Sequence, residues 1–155
     1  MGFIMTKVTL ITGSTMGSAE YVAEHIAEIL EKYGFDTEVT YGPSLKKLPT
    51  KGIWLIVCST HGAGDLPENI QPLAKEISEE KTDLSQLNYG AIGIGSKEYD
   101  TFCGAIHKLD QLLKDHNAKR VGETLEIDIL EHEVPEDLAE IWIEKWKDKI
   151  IDLDK

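Results

Sequence analysis

Two unbroken apolar runs, Ile53-Trp54-Leu55-Ile56-Val57-Cys58 and Ala91-Ile92-Gly93-Ile94-Gly95, constrain the fold of this chain more than any other feature. A strand that faces solvent on one side alternates polar and apolar residues, and a strand covered on both sides does not. The two runs therefore read as interior strands of a sheet with helices on both faces. Asp36 to Tyr41 alternates, with Thr37, Val39 and Tyr41 on one face, and Leu125-Glu126-Ile127-Asp128-Ile129 alternates again. These two are the edges, which leaves Lys7-Val8-Thr9-Leu10-Ile11-Thr12 inside. Between the strands apolar residues recur at helical spacing. The first such stretch carries Val22, Ile26, Ile29, Leu30 and Tyr33 and is closed by Gly34. The next two carry Ile70, Leu73, Ala74 and Ile77, then Ile106, Leu109, Leu112 and Leu113. The last opens at Pro135 and carries Leu138, Ile141, Trp142, Trp146 and Ile150. Strand–helix alternation five times over predicts an α/β fold, a doubly wound five-stranded parallel sheet of order 2-1-3-4-5.

At 155 residues the chain has the length of one domain, which we place at residues 7–151 without linker or repeat. Met1-Gly2-Phe3-Ile4-Met5-Thr6 reads as a disordered lead-in. It matches the myristoylation pattern, but one acyl chain anchors only marginally without a polybasic segment. It is also too short, and lacks the leading charge, for a signal peptide. Sixteen Lys and Arg against twenty-eight Asp and Glu leave a net charge of −12. That charge repels a nucleic-acid backbone or an anionic membrane and suits docking onto a basic partner face. No apolar run approaches the ~18 residues of a bilayer span. Cys58 and Cys103 stand 45 positions apart, with neither C-x-x-C nor metal-ligand spacing. A reducing cytoplasm is the expected location.

In a sheet of this order ligands bind beyond the carboxyl ends of the strands where the winding reverses, between strands one and three. The loops after strands one, three and four are therefore where chemistry is expected. Gly13-Ser14-Thr15-Met16-Gly17-Ser18 opens a helix, and freed N–H groups with three hydroxyls make an anion cradle. The same residues also serve as a capped helix start with turn glycines. The loop lacks the Gly-Lys-Ser/Thr of a P-loop and the G-x-G-x-x-G of a dinucleotide site. In Ser59-Thr60-His61-Gly62-Ala63-Gly64-Asp65-Leu66-Pro67 the glycines let backbone approach a planar ligand closely. Ser59 stands where a receiver-type phosphoacceptor needs a carboxylate, and Gly64 where a cysteine phosphatase needs Arg. In Gly95-Ser96-Lys97-Glu98-Tyr99-Asp100-Thr101-Phe102-Cys103-Gly104-Ala105, the two aromatics either sandwich a ring system or close the core beneath the loop. Cys103 and His107 at i, i+4 supply only two metal ligands, so no metal site is expected. His25, His116 and His132 read as solvated surface residues.

Taken in order, these three loops resemble the FMN loops of the flavodoxins. From about Lys7 to Ile150 the chain is similar to the short-chain MioC family among them. The resemblance implies FMN as cofactor, its phosphate held by Ser14, Thr15, Met16, Gly17 and Ser18, with Ala19 bordering them. It puts Tyr99 on the outer face of the isoalloxazine. Backbone groups of Ser96, Thr101 and Cys103 meet the pyrimidine edge, flanked by Gly95 and Phe102. Ser59, Thr60, His61, Gly62, Ala63 and Gly64 cover the other face and N5. Two departures imply weaker flavin binding than in many flavodoxins: Ala19 stands in place of a phosphate-binding Thr, and His61 in place of a stacking Trp.

A site that holds a ring system near the surface, with no nucleophile–base pair and no paired carboxylates, implies an electron carrier rather than an enzyme. An uncompensated phosphate with an acidic surface disfavours the anionic reduced flavin, which implies a low potential. The resemblance further implies a basic-faced flavin reductase upstream and an acceptor enzyme downstream, biotin synthase, each met by transient electrostatic docking. Eight acids and no Lys or Arg between Gly122 and Glu140 are a docking face or a solvated edge. Two alternatives stand beside this reading. A flavin-dependent reductase of a small acceptor such as a quinone needs a substrate pocket over the flavin. A non-redox regulatory binding module needs no flavin.

Overall fold

A computed structural model of the chain describes residues 6–14, 17–60, 65–95, 103–129 and 134–153. Its strands are β1 (Lys7–Gly13), β2 (Asp36–Tyr41), β3 (Gly52–Ser59), β4 (Leu87–Gly95), β5 (Lys119–Arg120) and β6 (Leu125–Asp128). Its helices are α1 (Ser18–Lys32), α2 (Gln71–Glu79), α3 (Gly104–Asp115) and α4 (Pro135–Leu153), with a short 3-10 turn at Leu45–Lys47. The strands pair in parallel in the order β2-β1-β3-β4, and both β5 and β6 lie on the outer side of β4. The expected order 2-1-3-4-5 therefore holds, with two short strands sharing the fifth position.

The register shows why the central runs are unbroken. Ile53, Leu55 and Val57 of β3 enter one core layer with Val22, Ile26 and Leu30 of α1 and Ile143 and Trp146 of α4. Trp54, Ile56 and Cys58, one step out of phase, enter the other layer with Leu73 and Ile77 of α2 and Ile106 and Leu109 of α3. Every residue of this apolar run meets a helix layer on one side or the other. β4 starts at Leu87, four residues before its apolar run, because Leu87 and Tyr89 are also buried. Its Gly90 lets the indole of α4 lie against the sheet: a Cβ there would stand 2.6 Å from Trp146 Cε2.

Three details differ from the sequence reading. The fifth strand is interrupted: Tyr89 pairs with Arg120 and Ile92 with Leu125, so residues 121–124 stand opposite residues 90–91 alone. The buried stripe of α4 runs through Ala139, Ile143, Trp146 and Ile150, and Ile141 is 63% exposed. His25 is not simply solvated; its Nε2 lies 2.6 Å from Glu140 Oε1 and ties α1 to α4. Residues 1–5 and His132 lie outside the described residues, and the Thr6 carbonyl accepts the Asp36 N–H at 3.0 Å. Among the described residues no helix is long and apolar enough to cross a membrane.

Candidate functional site

Parallel pairing brings the carboxyl ends of four strands to one edge. Gly13 of β1 is paired with Cys58 of β3, Ser59 with Ile94 of β4, and Gly95 with Asp128 of β6. The three loops singled out in the sequence all leave from this edge. Ser14, Gly17, Ser18, Ala19, Ser59, Thr60, Gly95 and Cys103 are described there. Thr15, Met16, His61, Gly62, Ala63, Gly64, Ser96, Tyr99, Thr101 and Phe102 lie outside the described residues.

The first loop turns into α1 through Gly17, whose φ of 87° lies in the left-handed region that glycine tolerates. Nothing lies within 4 Å of where a Cβ would stand on it. The Gly17 N–H donates to Ser14 Oγ at 2.9 Å, and the first intrahelical bond runs from Tyr21 N–H to the Gly17 carbonyl. Ser18, Ala19 and Glu20 therefore have N–H groups with no partner inside the helix, as at any helix start. Ser14 itself is buried. The methyl of Ala19 is fully buried in the α1 core layer, which leaves its N–H as the only polar group it can offer.

The second and third loops are joined to each other at their roots. The Thr60 N–H donates to the Ile94 carbonyl at 2.9 Å, and Thr60 Oγ1 accepts the Ala105 N–H at 3.4 Å. Cys103 precedes α3 with a φ of 53° and is fully buried. A Cβ on Gly95 would stand 3.1 Å from the Cys103 backbone nitrogen, so the two ends of the third loop are packed backbone to backbone. Burial pushes both thiols up to about 12, with the charge of Glu20 adding to the effect at Cys58 and that of Glu126 at Cys103. Neither sulfur is a nucleophile at neutral pH.

Two residues at this edge carry no signal that loop reading picks up. Asn69, just before α2, accepts the Ser14 N–H on its Oδ1 at 3.1 Å. Glu20, in the first turn of α1, accepts the Ser14 hydroxyl hydrogen on Oε2. Among the described residues no three His, Cys, Asp or Glu side chains are placed to share a metal ion. A groove of about 530 Å³ between α1 and α4, lined by Ile29, Lys32, Tyr33, Glu140, Ile141 and Glu144, is set along the later part of α1 rather than at its loop end.

A doubly wound sheet with an anion cradle at the β1–α1 turn is common to several families, and comparison with known proteins decides among them. A sequence model of the flavodoxins matches residues 10–142. The chain belongs to the flavodoxin family. It is 59% identical over 142 residues to protein MioC of Escherichia coli strain K12, covering 92% of this chain and 97% of that one. The MioC homologue of Haemophilus influenzae is 44% identical over 136 residues, covering 88% and 93%. Among solved structures, a mutant of the flavodoxin from Pseudomonas aeruginosa superposes with a TM-score of 0.86 at 33% identity, covering 94% of this chain and 99% of that one. Flavodoxins are typically electron carriers rather than enzymes, and membership of the family implies FMN binding.

Proposed function

We propose that this chain is an FMN-binding, low-potential electron carrier of the short-chain type, taking electrons from a basic-faced flavin reductase and passing them to an acceptor enzyme. Biotin synthase is the acceptor that the MioC likeness suggests. The observation that carries the reading is the convergence of three loop ends on one sheet edge, around the backbone N–H groups that open α1. The residues present fit a phosphate group: the helix-start N–H groups of Ser18 and Ala19 provide donors beside open space at Gly17. Thr60 joins the second loop to the start of α3, beside which a planar ring would lie.

FMN, when bound, supplies the electron-transfer chemistry, and the protein sets its potential and exposes its edge. Ser14, Thr15, Met16, Gly17 and Ser18 would hold the phosphate, and Tyr99 would stack on the ring. The segment Ser59 to Gly64 would cover the other face and exclude water from N5. Residues 13–20 contain no Lys or Arg, so the cradle neutralises a phosphate only with dipoles. Extra negative charge on the ring is disfavoured there, which lowers the potential.

Replacing Ser14 and Thr15 together by alanine tests the cradle. Charge-assisted hydrogen bonds are worth about 1.5–3 kcal/mol each, so FMN affinity should fall by that order while riboflavin, which has no phosphate, binds as before. Equal losses for the two flavins would place the phosphate elsewhere.

A further inference from the structure

Ser14 has one hydroxyl hydrogen, and Glu20 holds it. Ser14 Oγ donates to Glu20 Oε2 while accepting the Gly17 N–H at 2.9 Å. The Ser14 backbone N–H is also committed, to Asn69 Oδ1 at 3.1 Å. Both donors that this serine brings to the cradle are thus taken up within the chain. A hydroxyl donates once, so a phosphate gains the Ser14 hydrogen only when Glu20 releases it.

The position of Glu20 makes it more than a neighbour. It is the third residue of α1 and half-buried. A carboxylate there is favoured by the helix dipole and the N–H groups without helical partners. Those are the same features that draw a phosphate to a helix start. The field of Glu20 reaches inward as well, raising the thiol of Cys58 at the end of β3. Residues 13–20 offer no Lys or Arg to offset a second anion.

We propose that Glu20 is a built-in competitor of the cofactor's phosphate: its carboxylate accepts the Ser14 hydroxyl hydrogen that a phosphate in this cradle would otherwise take. The side chain then sets how strongly FMN is held relative to a flavin without phosphate. This inference rests on the FMN reading above and deepens it. The carboxylate that accepts the Ser14 hydrogen also opposes, by its charge, every phosphate that enters.

The test compares FMN and riboflavin binding to the full chain, by flavin fluorescence quenching, for the wild type, Glu20→Gln and Glu20→Ala. Glu20→Gln keeps the shape of the side chain and removes its charge; Glu20→Ala frees the Ser14 hydrogen altogether. Both should raise the preference for FMN over riboflavin, by roughly tenfold, the lower end of what one charge-assisted bond is worth, with riboflavin affinity unchanged. Thermal melts of the three proteins without flavin show that each is folded. An unchanged preference in both variants overturns the proposal. So does a reduced one, which would make Glu20 a residue that helps to hold the phosphate. If none of the three folded proteins binds either flavin, the FMN reading fails and the competitor role falls with it.

Discussion

Cys58 and Cys103 show how far single residues are set by their surroundings. Both thiols are held up at about 12, against an ordinary value of 9.0, chiefly by burial. The unfolded chain ionises them from about pH 9 and the folded chain does not. The stability tied to the neutral thiols is therefore complete below about pH 9 and is lost as pH rises toward about 12. Each buried thiol should contribute a slope of about 1.4 kcal/mol per pH unit in that window. Urea denaturation of the wild type and of Cys58→Ala with Cys103→Ala at about pH 8, 9.5 and 10.5 checks this: the variant should show the shallower decline. An aromatic disulfide reagent at about pH 8 should leave both sulfurs untouched until the protein is unfolded. At this scale the sequence was legible where residue type alone sufficed, as with the glycines and hydroxyls of residues 13–18. Glu20 and Asn69 were not. An acid in a first helical turn is ordinary helix chemistry, and Asn69 reaches Ser14 from 55 positions away.

Among the elements, β4 and its partners carry the tightest constraints. Tyr89 donates from its hydroxyl to Asp110 Oδ1, and Arg120 Nη1 donates to Asp110 Oδ2 at 2.9 Å. One carboxylate on α3 thus joins β4 to the short β5. Tyr89→Phe should cost about 1.5–3 kcal/mol, since it removes one buried hydrogen bond to a charged group, and it should leave flavin binding unchanged because the network lies at the far end of the strands. Gly90→Ala should cost about 1–3 kcal/mol by overpacking against the Trp146 indole. Chemical denaturation with parallel FMN titration measures both. The apolar runs made β3 and the second half of β4 legible, and the alternating segments marked the edges. The split of the last strand was hidden because Lys119-Arg120 is too short and too charged to show any period, and its pairing depends on Tyr89 and Asp110 in other elements. The exposed Ile141 is the opposite case, an apolar residue that fits helical spacing loosely and falls outside the buried stripe.

The whole molecule is governed by its net charge of −12. Long-range attraction to a basic partner is screened within about 10 Å at 0.1 M salt, so the rate at which a basic-faced reductase reduces the FMN-loaded protein should fall steeply as salt is raised. Stopped-flow reduction across an ionic-strength series checks this, and a salt-insensitive rate would remove charge steering from the account. The sheet order was legible at this scale because interior and edge strands differ in pattern. The loops that leave its carboxyl edge were legible through their likeness to the FMN loops of flavodoxins.

The central claim is that the chain carries electrons on FMN and has no substrate chemistry of its own. The most direct measurement is an absorbance titration of the concentrated protein with FMN, followed by addition of NADPH with and without a flavin reductase. The account predicts one FMN bound per chain with a shifted flavin spectrum, reduction only when the reductase is present, and no steady NADPH consumption by the protein alone. An FMN spectrum unchanged by the protein, or sustained NADPH turnover with a quinone and no reductase, would contradict it.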